Sequence, residues 1–90
     1  MTQEPSSTTV ALGEAVRSLR GEAKLSQETL GAKAGIHPTW ISQIENGRVN
    51  PTISNFFLLS KGLGVRPSQL MLLTEELERQ RRTQPKPGRQ

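Results

Sequence analysis

One stretch, Gln27–Gly47 (QETLGAKAGIHPTWISQIENG), constrains this chain more than any other. Its punctuation predicts two short helices, about 28–34 and 38–46, joined by a tight turn. Ser26 supplies an N-cap oxygen for the first, and Glu28 sets a carboxylate near the positive end of its dipole. Leu30 and Ala34, four apart, face the same way. Gly35 suits the left-handed residue that ends a helix. Ile36 plugs the turn, and His37 takes the next N-cap. Pro38 occupies the first turn of the second helix, where a missing N–H costs nothing. On a wheel of about 100° per residue, Ile41 and Ile44 fall on one side of that helix. Thr39, Ser42, Gln43 and Asn46 fall on the other, with Pro38 at its edge and Trp40 on the flank. One face is thus apolar; the other is short, uncharged and able to hydrogen-bond. Asn46-Gly47 stops the helix.

The remaining elements are read as supports for this pair. Leu12, Val16, Leu19 and Ala23 form a helical stripe over Val10 to about Ala23, with Thr9 as its N-cap and Arg17, Arg20 and Glu22 off the stripe. Residues 48–51 form a loop. Thr52 caps a fourth helix to about Gly62, with the stripe Ile53, Phe56, Leu59 and Leu63, and Gly64 ends it. A fifth helix starts at Pro67 and carries Leu70, Leu73 and Leu77. In EELERQRR (75–82) acids precede bases, as the helix dipole prefers, so the last helix extends to about Arg82. Residues 1–9, polar and holding Pro5, read as a flexible arm, and 83–90 as a disordered basic tail. The expectation is an all-α domain over residues 10–82.

Composition removes several classes. Trp40, Phe56 and Phe57 are the only aromatics among 90 residues, which argues against a β-sandwich. With no cysteine, no Asp and one His, neither a disulfide, a thiolate metal site nor a His–Asp pair can be assembled. The serines have no adjacent general base. The expectation is a non-enzyme without metal or cofactor. No apolar run approaches the roughly 20 residues a bilayer needs, and the N-terminus lacks a signal-peptide core. A net charge of +4 and a pI near 10.4 favour a polyanionic partner.

The segment LSQETLGAKAGIHPTWISQIENGRVNPT resembles the helix-turn-helix of the Cro/C1 type (XRE family). That family includes lambda-like phage repressors and the controller proteins of restriction-modification systems. The features that coincide are Ser-Gln opening the first helix, a small residue and Gly in the turn, Ile-Glu-Asn-Gly closing the second, and Asn-Pro-Thr opening the fourth. The resemblance spans about residues 10–73. It implies a compact, five-helix, lambda-repressor-like DNA-binding domain. By matching positions, Gln27 would bond a phosphate and brace the recognition helix. Pro38, Thr39, Ser42, Gln43 and Asn46 would face the major groove. Arg48 and Asn50 would lie in the loop that meets the DNA backbone, and Arg20 and Glu45 would form a structural ion pair. Trp40 has two readings: packing against the first two helices, or an indole N–H reaching a phosphate. Two departures stand out. Gly31 replaces the family's usual Ala, at a cost of roughly 1 kcal/mol in helix propensity, while letting the two helices approach closely. Pro38 cannot make the bidentate base contact of a Gln, which shifts readout onto Thr39, Gln43 and Trp40.

These readings predict a sequence-specific transcriptional regulator that binds a palindromic operator in double-stranded DNA as a homodimer. Leu58, Leu70, Met71, Leu73 and Leu77 are the interface candidates. The alternative is an antitoxin or other protein-interaction module whose leucine-rich last helix and charged tail hold a protein partner, such as a toxin or RNA polymerase. The expected setting is the cytoplasm of a bacterium, on the nucleoid, with a bacterial or phage origin.

Overall fold

The computed structural model describes residues 6–83. Five helices follow one another: α1 (Ser7–Glu22), α2 (Gln27–Ala34), α3 (Pro38–Glu45), α4 (Ile53–Leu63) and α5 (Pro67–Thr83). The all-α expectation holds.

The helix ends follow local chemistry. Ser26 and Thr52 accept from the backbone N–H groups of Thr29 and Asn55 at 3.0 and 3.1 Å. Gly35, Gly47 and Gly64 adopt φ of 73°, 71° and 77°, the left-handed geometry that closes α2, α3 and α4. Lys24 does the same after α1 at φ 59°, without glycine's freedom. The N-terminus of α5 is closed by the Gln69 side chain, whose Oε1 accepts from the Arg66 N–H at 2.8 Å.

The start of α1 differs from the sequence reading. Its cap is Ser6, whose Oγ accepts from Thr9 N–H at 3.1 Å. Thr9 is buried, and its hydroxyl donates to Asn50 Oδ1. Residues 7–9 are therefore helix rather than arm: four hydroxyl residues in series, Ser6 to Thr9, offered more than one cap position, and burial of Thr9 against the α3–α4 loop selects the earliest. The rest of the expected arm, 1–5, lies outside the described residues. Thr83 is the last residue of α5 rather than the first of a tail, and 84–90 are likewise outside.

The core is built from Ala15 and Val16 of α1, Leu30 of α2, Ile41 and Ile44 of α3, Leu59 of α4 and Leu70 of α5, each fully buried. α1 packs on α3 and α5, and α2 on α3 and α4. Two glycines permit the closest approaches. A Cβ on Gly13 would stand 2.4 Å from the Ile44 carbonyl oxygen, so α1 and α3 meet backbone to backbone. A Cβ on Gly31 would stand 2.4 Å from the Ile36 carbonyl oxygen. The close approach expected at Gly31 is thus one that an Ala side chain does not fit.

Two further assignments change. Ile53, expected in the core stripe of α4, is 69% exposed, since it is the first residue of the helix and points past the bundle. Leu70, expected at a dimer surface, is fully buried, and Leu73 and Leu77 are half-buried against the core. They belong to the fold because α5 runs the length of α1. Ser7 donates to Glu78 at 2.9 Å, and Arg81 pairs with Glu14 at 3.0 Å.

Candidate nucleic-acid interface

α3 presents two chemically distinct sides. Ile41 and Ile44 are fully buried, and Glu45 is 5% exposed. Thr39 and Asn46 are exposed, while Pro38, Ser42 and Gln43 are half-buried. The four hydrogen-bonding side chains expected at the groove thus share the outward side. The helix is capped by His37, whose Nδ1 accepts from Thr39 N–H at 3.1 Å. Its end is closed by Gly47 N–H to Ile44 O and Arg48 N–H to Gln43 O, both at 3.0 Å.

Glu45 anchors the inner side. Arg20 grips it bidentately, Nε to Oε2 at 2.6 Å and Nη2 to Oε1 at 2.9 Å. Arg20 also donates to the Leu25 carbonyl at 2.9 Å, so one guanidinium ties α1, the α1–α2 link and α3 together. Gln27 Nε2 donates to Glu45 Oε1 at 3.1 Å. Burial pushes the Glu45 carboxyl up, but hydrogen bonds from Arg20 and Gln27 and the charges of Arg20 and Arg17 outweigh it. The net result lies below the usual carboxylate range. The hydrogen bond to Glu45 raises the Arg20 guanidinium in turn. An ion pair with this much hydrogen bonding satisfies the condition under which buried charge is tolerated.

The flanks carry donors. One N–H of the Gln27 amide braces Glu45, and the second remains on the same nitrogen. Arg48 is exposed in the loop after α3. Asn50 is exposed in the same loop, and because its Oδ1 accepts from Thr9, its NH2 is the group left to face outward. Trp40 packs half-buried against the core, while its Nε1 is buried and finds no acceptor among the described residues. The inward reading describes the ring and leaves the N–H over.

Sequence reasoning missed Arg17, placing it only off the α1 stripe. Its Nε lies 3.5 Å from Glu45 Oε1, and its Nη2 donates to Asn46 Oδ1 at 3.3 Å. The signal was its spacing of three from Arg20, which puts both guanidinia on one side of α1.

No group of His, Cys, Asp or Glu among the described residues is arranged to hold a metal ion, and none of their helices is long and apolar enough to cross a membrane.

Comparison with known proteins agrees with this geometry. A helix-turn-helix family model matches residues 16–70. The chain is 40% identical over 63 residues to the control protein C.BamHI of Bacillus amyloliquefaciens, covering 69% of this chain and 78% of that protein. It is 35% identical over 63 residues to repressor protein C2 of Salmonella phage P22, covering 70% of this chain and 29% of that one. Among solved structures, the restriction-modification controller protein C.AhdI from Aeromonas hydrophila matches at a TM-score of 0.67 and 32% identity. That match covers 69% of this chain and 94% of the other.

Proposed function

The chain belongs to the Cro/C1-type helix-turn-helix family of DNA-binding transcriptional regulators, and on that premise we propose that it binds a palindromic operator as a homodimer, with residues 38–46 in the major groove. The observation that carries the reading is α3 itself. It is an eight-residue helix, locked from behind by Ile41, Ile44 and a four-way bonded Glu45, with only small uncharged hydrogen-bonding groups in front. A groove-entering helix needs this division, because its outer face must meet base edges without charge repulsion or bulk.

In this reading Gln43 pairs with adenine N6 and N7, and Thr39 meets a thymine methyl or a phosphate. Ser42 and Asn46 contact neighbouring base edges, and Pro38 offers apolar contact only. Gln27, Arg48 and Asn50 hold the phosphates.

The surface proposed for the homodimer keeps part of what the sequence suggested and loses Leu70 to the core. Leu58 (38% exposed) and Met71 (48%) stay as candidates, joined by Ile53, Phe57 and Leu72 on α4 and α5. So much exposed apolar side chain on a small domain marks an interaction surface. A two-fold operator requires the second copy to hold its recognition helix about one DNA turn, roughly 34 Å, from the first. The charged end of α5, which a protein-interaction role would use for docking, is engaged with α1 through Glu78 and Arg81.

Random-site selection followed by footprinting tests the proposal. The expected result is a two-fold symmetric site with half-sites one turn apart and a log K falling linearly with log salt. Q43A should weaken that site by about tenfold without lowering the melting temperature, since one bidentate contact carries about 1–3 kcal/mol of discrimination. Enrichment of no sequence would overturn it.

A further inference from the structure

We propose that Arg17, which lies on α1 outside the helix-turn-helix, sets the orientation of the Asn46 amide. Asn46 then reads acceptors on a base edge and discriminates against cytosine. The inference rests on the reading of α3 as the groove helix.

A guanidinium only donates and a carboxylate only accepts, whereas an amide does either, according to which way it is turned. Arg17 sits between two groups at the end of α3, Glu45 Oε1 at 3.5 Å and Asn46 Oδ1 at 3.3 Å. Glu45 is held in place independently by Arg20 and Gln27, so it gives Arg17 a fixed station. A flipped Asn46 would turn its NH2 into that guanidinium, donor against donor. The carbonyl is therefore committed toward Arg17 and the NH2 away from it. The NH2 lies 3.5 Å from Ser42 Oγ, on the outward side of the same helix. That long contact restrains the group without consuming both of its hydrogens.

An outward NH2 has a defined taste in the major groove. Guanine N7 and O6, adenine N7 and thymine O4 accept from it, whereas the cytosine N4 amino group is itself a donor. Asn46 should accept G, T or A at its position and disfavour C. An Asn free to rotate would lose that bias, because its Oδ1 could accept from cytosine N4. Arg17 is thus a positioning residue for specificity without itself meeting the base.

Two experiments test this. In the free protein, NMR cross-peaks should connect the Asn46 amide protons to Ser42 and not to the Arg17 guanidinium; the opposite pattern overturns the inference without any DNA. Random-site selection with wild type, R17M and N46D then reads the consequence. Wild type should disfavour cytosine by about five-fold or more at one symmetric pair of positions. R17M keeps the stem and removes the guanidinium. It should bring that ratio to within about two-fold while half-site spacing and the preferences at other positions stay unchanged. N46D, an acceptor only, should turn the preference toward cytosine, a readout that a purely structural Arg17–Asn46 contact would not move. R17M retaining the bias against cytosine, or weakening every sequence equally, overturns the proposal. Wild type enriching no site at all overturns the regulator reading, and this inference with it.

Discussion

Replacing Gly31 with Ala separates local propensity from tertiary geometry, because the two predict opposite signs. Gly31 lies inside α2, where Ala is favoured over Gly by about 1 kcal/mol. Propensity alone predicts a stabilised G31A. The structure predicts the reverse. The new Cβ would meet the Ile36 carbonyl oxygen at 2.4 Å, Pro38 N at 3.3 Å and Pro38 Cδ at 3.4 Å. A comfortable carbon–oxygen contact begins near 3.3 Å, so the turn must retreat by about 0.9 Å. None of these atoms ends a flexible side chain. Ile36 and Pro38 are the turn itself, and the Ile36 N–H is the donor to Gly31 O that closes α2 at 2.9 Å. Overpacking costs about 1–3 kcal/mol and a stretched hydrogen bond about 0.5–1.5 kcal/mol. Set against the propensity gain of about 1 kcal/mol, G31A should lose about 1–3 kcal/mol of stability. In a domain of this size each kcal/mol lowers the melting temperature by about 4–8 °C. Thermal melts with matched urea titrations measure it. A G31A protein melting at or above wild type would refute the reasoning, because it would mean the turn yields at no cost.

Four further outcomes follow from the same geometry. E45A should cost about 3–5 kcal/mol in denaturant titrations, because it leaves the Arg20 guanidinium without its partner between α1 and α3. The Glu45 carboxyl is lowered in the folded protein. Its contribution is therefore fully present above the unfolded carboxyl value of about 4.3 and is lost as pH falls through the lower folded value; E45A should flatten the acid limb below about pH 5. K24G relieves an L-residue at φ 59° and should gain up to about 1 kcal/mol after the greater freedom of unfolded glycine is subtracted, read as a higher denaturant midpoint at constant slope. Leu70 and Leu72 should behave oppositely. L70A, in the core, should cost about 2–5 kcal/mol, while L72E, at a 66% exposed site, should leave the melting of the monomer unchanged and shift sedimentation toward a single copy.

The parts of the molecule that sequence reveals are those decided within a few residues. Gly35, Gly64, Pro38, Ser26, His37 and Thr52 take the places their local chemistry predicts, because a left-handed turn or an N-cap is settled by one residue and its neighbours. The division of α3 into an apolar and a polar side is equally local, a matter of helical period. What sequence misjudged depends on partners far along the chain. Ser6 and Thr9 are equivalent as caps until Asn50, 41 residues beyond Thr9, takes the threonine hydroxyl. Leu70 and Leu72 have the same side chain, and only the packing of α5 along α1 sends one inward and leaves the other exposed. Gly31 looks like a weak helix residue until the turn's carbonyl is seen against it. Arg17 looks like a solvated charge until α1 is laid beside the end of α3.

These long-range contacts bear on the DNA reading proposed for α3. A helix of eight residues does not hold its shape or direction alone. Here its direction is fixed at separate points. Gly13 brings α1 against the Ile44 and Glu45 carbonyls, Arg20 and Gln27 grip the Glu45 carboxylate from α1 and α2, and Gly31 seats the turn before Pro38. The restraints come from α1, from α2 and from the turn before Pro38, so no single rotation of α3 relaxes them all. Loosening any one should therefore lower the stability of the whole domain before it broadens the choice of bases. Arg17 is the exception, since it touches the end of α3 from the solvent side, and Arg20 and Gln27 hold Glu45 in place without it. Substitutions at Gly13, Gly31 and Glu45 should accordingly move the melting temperature and the affinity for every sequence together. Substitution at Arg17 should move base preference while the melting temperature stays near that of wild type.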